Sequence, residues 1–322
     1  MKKPKDPNAR FFLPLFFLFF SFTLVPALPL YSFPLEPISK DPRSILSYPL
    51  ESWRDRRYEV FSWDIFPEIL IFDTASYAVQ DRLLKRLAFF VEKAGFRGRL
   101  APDEEIAGLH GWNAHDYRAE DLASFFEAAR LSSFPLLTEE RELQFILLNT
   151  GIIRQNSAMQ ITPGRGAIIS ISRESDKTDS SLRFRFMTHE GFHGIYFIDG
   201  EFRDFSRQRW EEFPAFAKKF LLSFFDFQAY DTKDAALVVT EFMAHVLQQS
   251  VQQIAWYFGE YQPSRMIAAS PWRRSSLPEK EEVSADGRTY WPDIAAAFTA
   301  EAEAFSRYVN QRWGFAAGRV WR

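Results

Sequence analysis

The run His189-Glu190-Gly191-Phe192-His193 places two imidazoles four residues apart with a carboxylate beside the first. On a helix, residues at that spacing share a face, so His189 and His193 can both donate to one metal ion. Glu190, about 100° further round, can reach a water on that ion without being a ligand itself. Met187, Thr188, Gly191, Phe192, Gly194 and Ile195 around them are uncharged, so the helix can be buried beneath a metal site. Two histidines leave such an ion short of a third protein ligand. The chain has no cysteine, so that ligand must be another histidine or a carboxylate. A candidate lies in Thr240-Glu241-Phe242-Met243-Ala244-His245, where Glu241 borders an apolar stripe of Met243, Ala244, Leu247, Val251 and Ile254. A carboxylate at the edge of a core stripe is costly without a partner. His245 follows one turn later on the same face.

These residues need elements to hold them. The apolar run Pro67 to Asp73, bounded by punctuation at both ends, predicts a buried strand. Ser76 to Lys93 has helical periodicity and Gly95 stops it, while Phe96 to Ala101 reads as a second strand, which would make a βαβ-type unit. Helices are expected over Arg118 to Leu131 and over Glu139 to Asn149, the latter capped by Thr138. Gly166 to Arg173 alternates and is rich in β-branched residues, so it predicts a strand. Asp179 or Ser180 can cap the His189 helix. Beyond Gly200 the pattern turns helical, over Arg207 to Phe227, Lys233 to Phe258 and Ile294 to Arg312, with an irregular stretch from Gln262 to Pro292. Strands first and helices later make an α+β fold, with a sheet-bearing lobe over about 61–200 and a helical lobe over about 201–322.

The His189 helix resembles the active-site helix of the zincin superfamily of metallopeptidases, and the Glu241 segment resembles the helix that supplies a glutamate third ligand in the gluzincin-like branch. The resemblance implies zinc held by His189, His193 and Glu241, with the active-site helix between a sheet-bearing lobe and a helical lobe. The interval from His193 to Glu241 is longer than in the best-known members of that branch. It also implies that an edge strand just before the metal helix pairs with the substrate backbone, which falls on Gly166 to Arg173, with Ile169 and Ser170 at its centre. Asp199 is a rival ligand, six positions after His193 where metzincins carry a histidine. That pattern needs a glycine where this chain has Tyr196, which favours continuing the helix; Glu201 is a weaker rival. His245 could orient Glu241, donate a hydrogen bond to an oxyanion, or be a plain helix-face histidine beside Gln248 and Gln252. Tyr257 and Tyr261 are downstream phenols that could also donate. The loop from His110 to Tyr117 holds the remaining two histidines, and His115 in it is either a substrate contact or part of a packed structural loop.

With 322 residues, 47% hydrophobic and 35 of them phenylalanine, the chain can bury a sizeable core. A net charge of −3 offers no basic field for nucleic acid. Lys2, Lys3, Lys5 and Arg10 precede an apolar run from Phe11 to Leu24, and Val25-Pro26-Ala27 fits a signal-peptidase site. An uncleaved anchor over Phe11 to Phe33 is the alternative, and would be the only membrane attachment. Both put the bulk of the chain outside the cytoplasm. Residues 28–60, with prolines at 29, 34, 37, 42 and 49, read as an extended tether before a domain over 61–322. The expectation is an exported zinc metallopeptidase acting on a peptide or protein. A non-catalytic envelope scaffold and a zinc hydrolase of a cell-wall amide are the other readings.

Overall fold

Five strands form one mixed sheet in the computed structural model, which describes residues 36–93, 95–179 and 181–322. In chain order the first part holds β1 (Ile38–Lys40), α1 (Pro42–Leu46), β2 (Tyr58–Trp63), β3 (Phe66–Thr74), α2 (Tyr77–Val91) and α3 (Asp103–Ile106). It continues with β4 (His115–Arg118), α4 (Ala119–Leu131), α5 (Thr138–Asn149), a small hairpin of β5 (Ile153–Gln155) and β6 (Ile161–Pro163), and β7 (Ala167–Ser172). The sheet order is β1-β2-β3-β7-β4. β3 and β7 run parallel, while β4 lies antiparallel to β7 at the edge.

Side-chain alternation assigns each face of this sheet to its own core. Phe61, Trp63, Ile69, Ile71, Ile169 and Ile171 point into one, and Val60, Leu70, Phe72 and Ile168 into the other with helices α2, α4 and α5. The first face receives the helical part: α6 (Ser175–Thr178), α7 (Leu182–Ile198), α8 (Gly200–Glu212), α9 (Ala215–Phe227), α10 (Ala235–Leu247), α11 (Val251–Trp256), α12 (Gln262–Ala269) and α13 (Pro292–Trp313). The architecture is therefore mixed α and β, an open sheet with a helical lobe. Helix α7 lies against β7 and β4, and α10 packs on α7.

Close packing of α7 depends on two glycines. A Cβ on Gly194 would sit 3.1 Å from Cγ2 of Ile69, and one on Gly191 would sit 3.1 Å from Cγ2 of Val320. The helix is thus pressed between the sheet and the C-terminal segment.

Several expectations are corrected. The expected targeting segment and residues 28–35 lie outside the described residues, but 36–60 is no tether. Ile38–Lys40 pairs with β2, and Asp41 caps α1 by accepting from Ser44 N at 3.1 Å. Pro42 starts this helix instead of extending the chain. Residues 96–98 are turn and 99–101 irregular, not a strand; Phe96 folds back edge-on to Phe89. The expected helix over Arg207 to Phe227 breaks at Pro214, and the one over Lys233 to Phe258 breaks at Gln248–Ser250. Helix α5 takes Leu137 as its cap residue, with Glu140 accepting from the Leu137 N–H at 2.8 Å, so Thr138 is already helical. Part of the stretch expected to be irregular is α12. Among the described residues no helix is long and apolar enough to cross a membrane.

Candidate metal centre

Helix α7 presents His189 and His193 from adjacent turns, with their Nε2 atoms 3.0 Å apart. Helix α10 crosses it and lays the Glu241 carboxylate against both. Oε2 is 3.4 Å from His189 Nε2, and Oε1 is 3.6 Å from His193 Nε2. Donors at roughly 2.0–2.1 Å from one ion in a tetrahedral arrangement stand about 3.3–3.4 Å apart, so these three spacings suit a shared ion. All three side chains are buried, His193 to 1% exposure. Buried groups of this kind without a countercharge are costly, and a cation offsets that cost.

Protonation states suit a metal as well. Burial alone would raise the Glu241 carboxyl, but His193, His189 and His245 hold it down to about 2. His193 is held below its ordinary value, first by burial. An ionised carboxylate facing a neutral imidazole is the state that a metal requires.

Around this trio lies a layer the sequence analysis did not identify. Asp116 on β4 projects from the sheet face that carries Ile169, its register partner, and its Oδ2 is 3.7 Å from His193 Nδ1. That is the direction of the second-shell carboxylate that orients a metal-bound histidine. Asp116 also lies near Glu190, whose carboxyl is pushed well up, by burial first and then by the Asp116 and Glu241 charges. Burial, then Asp116 and Glu241, raise Glu92 too. Tyr230 lies near Glu241, and its hydroxyl is raised, first by burial and then by the Glu241 charge. Gln248 bridges His189 and His245: its Oε1 is 3.1 Å from His189 Nδ1 and its Nε2 is 2.9 Å from His245 Nδ1.

His245 Nε2 is buried, makes no hydrogen bond, and lies 3.6 Å from Glu241 Oε2. Burial, then His189, lower its pKa to about 3, so the ring is neutral. Its ring stands edge-on to His189 with centroids 5.0 Å apart. One ligand atom each from His189, Glu241 and His245 lie within 4.8 Å of one another. The same holds for Asp116, Glu190 and His193.

Two clefts reach the centre. One, of about 550 Å³, lies along β4 and is bounded by Arg118, Asp121, Tyr196, Arg207 and Asp234. The other, of about 360 Å³, is bounded by Trp112, Tyr230, Tyr257, Tyr261 and Arg265. Both end on Glu92, Asp116 and Glu241.

The remaining expected site residues fare differently. Asp199 is no ligand: it ends α7 and caps α8, accepting from Phe202 N at 2.8 Å, while its other oxygen pairs with Arg312. Glu201 also pairs with Arg312. Ile169 and Ser170 cannot meet a substrate backbone, because β7 is flanked by β3 and β4 and both residues are fully buried. The edge strand beside β7 is β4, most of it inside the segment read as a loop. His115 is buried against Tyr117, its Nδ1 2.9 Å from the phenol, and borders the second cleft. Tyr261 is 39% exposed at the mouth of the second cleft and stacks on Trp256, whereas Tyr257 reaches Gln248 at 3.3 Å. In comparisons with protein-family models, curated proteins and solved structures, nothing matches this chain.

Proposed function

We propose that this chain is an exported, zinc-dependent metallopeptidase built on a zincin-like plan. One observation carries the reading: His189 and His193 on one helix and Glu241 on a crossing helix converge at metal-ligand spacing. Two imidazoles and a carboxylate without thiolate form a donor set that zinc accepts in catalytic sites. When bound, zinc supplies Lewis acidity and lowers the pKa of a coordinated water towards ~7.

The chain's own residues would do the rest. Glu190, beside the metal pair but outside it, takes the proton of the attacking water and passes it to the leaving amine. Asp116 lies against Glu190 and faces His193 Nδ1, so it positions both. His245 Nε2 and the Tyr230 hydroxyl lie beside Glu241, where a developing oxyanion can be met. The free edge of β4, next to the cleft, is the place for an extended peptide to add as a further strand.

Glu190→Gln tests the reading. The variant should keep its metal and fold while turnover of a peptide-library substrate drops by about 10²–10⁴-fold. Wild-type rates in that variant would remove Glu190 from the mechanism. A metal-loaded wild type that cleaves no peptide would remove the peptidase reading.

A further inference from the structure

Gln248 touches both histidines that border Glu241, and an amide cannot treat them alike. Its oxygen only accepts and its nitrogen only donates. His189 Nδ1 faces the oxygen at 3.1 Å, so it must carry a proton, which leaves Nε2 as a bare lone pair. His245 Nδ1 faces the nitrogen at 2.9 Å, so it must be the bare atom, which puts the proton on Nε2. The second hydrogen of the same nitrogen goes to Tyr257 Oη at 3.3 Å, so every polar group of the amide is used. Rotating the amide by half a turn would exchange the two tautomers and would leave His189 Nε2 protonated, unable to bind a metal. The convergence of His189, His193 and Glu241 therefore fixes the amide as described.

We propose that Gln248 is a positioning residue that sets opposite tautomers in two adjacent histidines, making His189 a metal ligand and His245 an N–H donor. The inference rests on the metal-centre reading above. It also separates two roles that distance leaves open, since His245 Nε2 lies as near to Glu241 as His193 Nε2 does, 3.6 Å in each case. Without this amide His245 could turn its lone pair inward and become a further ligand. With it, His245 offers hydrogen to Glu241 or to an oxyanion. Gln248 suits the task because it is buried and sits at the end of α10, one turn beyond His245 on the face that carries Glu241.

The chain has only five histidines, so labelling them alone with ¹⁵N lets long-range proton–nitrogen spectra read each tautomer in the full-length, metal-free protein at mildly alkaline pH. The expected result is a proton on Nδ1 of His189 and on Nε2 of His245. Finding both rings in the same tautomer would overturn the proposal whatever happens to any variant. In Gln248→Glu, whose carboxylate only accepts, His245 should gain a proton at Nδ1 while His189 keeps its own. An unchanged His245 in that variant would also overturn it. Gln248→Met, which keeps the shape and loses the polar atoms, should mix the tautomers and weaken Co²⁺ binding by about 10–100-fold. Unchanged Co²⁺ affinity and tautomers there would count against a positioning role. A wild type that binds no Co²⁺ would instead sink the metal reading, and the tautomer spectra would still decide this one.

Discussion

At the scale of single residues, the centre combines groups that local pattern exposes with groups that only packing brings in. His189, Glu190 and His193 are legible because one helical turn defines their geometry. Glu241 is legible because a carboxylate beside an apolar stripe demands a partner. Asp116, Tyr230 and Gln248 reach the site across the sheet, a loop and a helix end, and no short spacing connects them to His189. Gln248 left a faint trace, since Glu241, His245 and Gln248 stand four and three residues apart on one face. His115, attractive by type, is held in a buried contact with Tyr117. Burial, then Lys93 and His110, hold its pKa at about 3 in place of 6.5. The unfolded chain therefore takes up that proton first, and stability falls as pH drops below 6.5 towards 3. His115→Gln should flatten the pH dependence of chemical denaturation of the metal-free protein in that window by up to ~1.4 kcal/mol per pH unit. An unaltered slope would mean that His115 is charged in the folded state.

At the scale of elements, the site exists because α7 lies close to the sheet. Buried strands with two covered faces are recognisable as apolar runs, so β3 and β7 were expected in place. β4 was not, because His-Asp-Tyr-Arg is short and polar and owes its strand conformation to pairing with β7. That one omission moved the free edge to the wrong strand. Helix lengths failed where Pro214 interrupted a continuous amphipathic pattern. Gly194 is where element packing can be tested. A Cβ there would lie 3.1 and 3.2 Å from Cγ2 and Cδ1 of Ile69, and 3.5 Å from Cγ2 of Ile169. Gly194→Val should force the helix off the sheet, lower stability by about 1–3 kcal/mol, and weaken metal binding through its neighbour His193. Denaturation and Co²⁺ titration measure the two effects. Wild-type values in both would show that α7 has room to spare.

At the scale of the whole molecule, the C-terminal segment closes the structure over the metal helices. Phe315 stacks on Trp63 with centroids 5.9 Å apart, and Val320 fills the space over Gly191. The Gly318 N–H donates to Leu247 O at 2.7 Å on α10, and its carbonyl accepts from Thr188 Oγ1 at 3.4 Å on α7. A chain ending after Trp313 should therefore melt at lower temperature and bind metal more weakly, although it loses no ligand. Undiminished metal affinity in a destabilised chain would uncouple the tail from the site. The central claim, that one ion is held by two histidines of α7 and Glu241 of α10, is tested most directly by zinc per chain from mass spectrometry. The full-length wild type and Asp199→Ala should each hold about one zinc, and Glu241→Ala should lose most of it. Full zinc in Glu241→Ala together with its loss in Asp199→Ala would contradict the account.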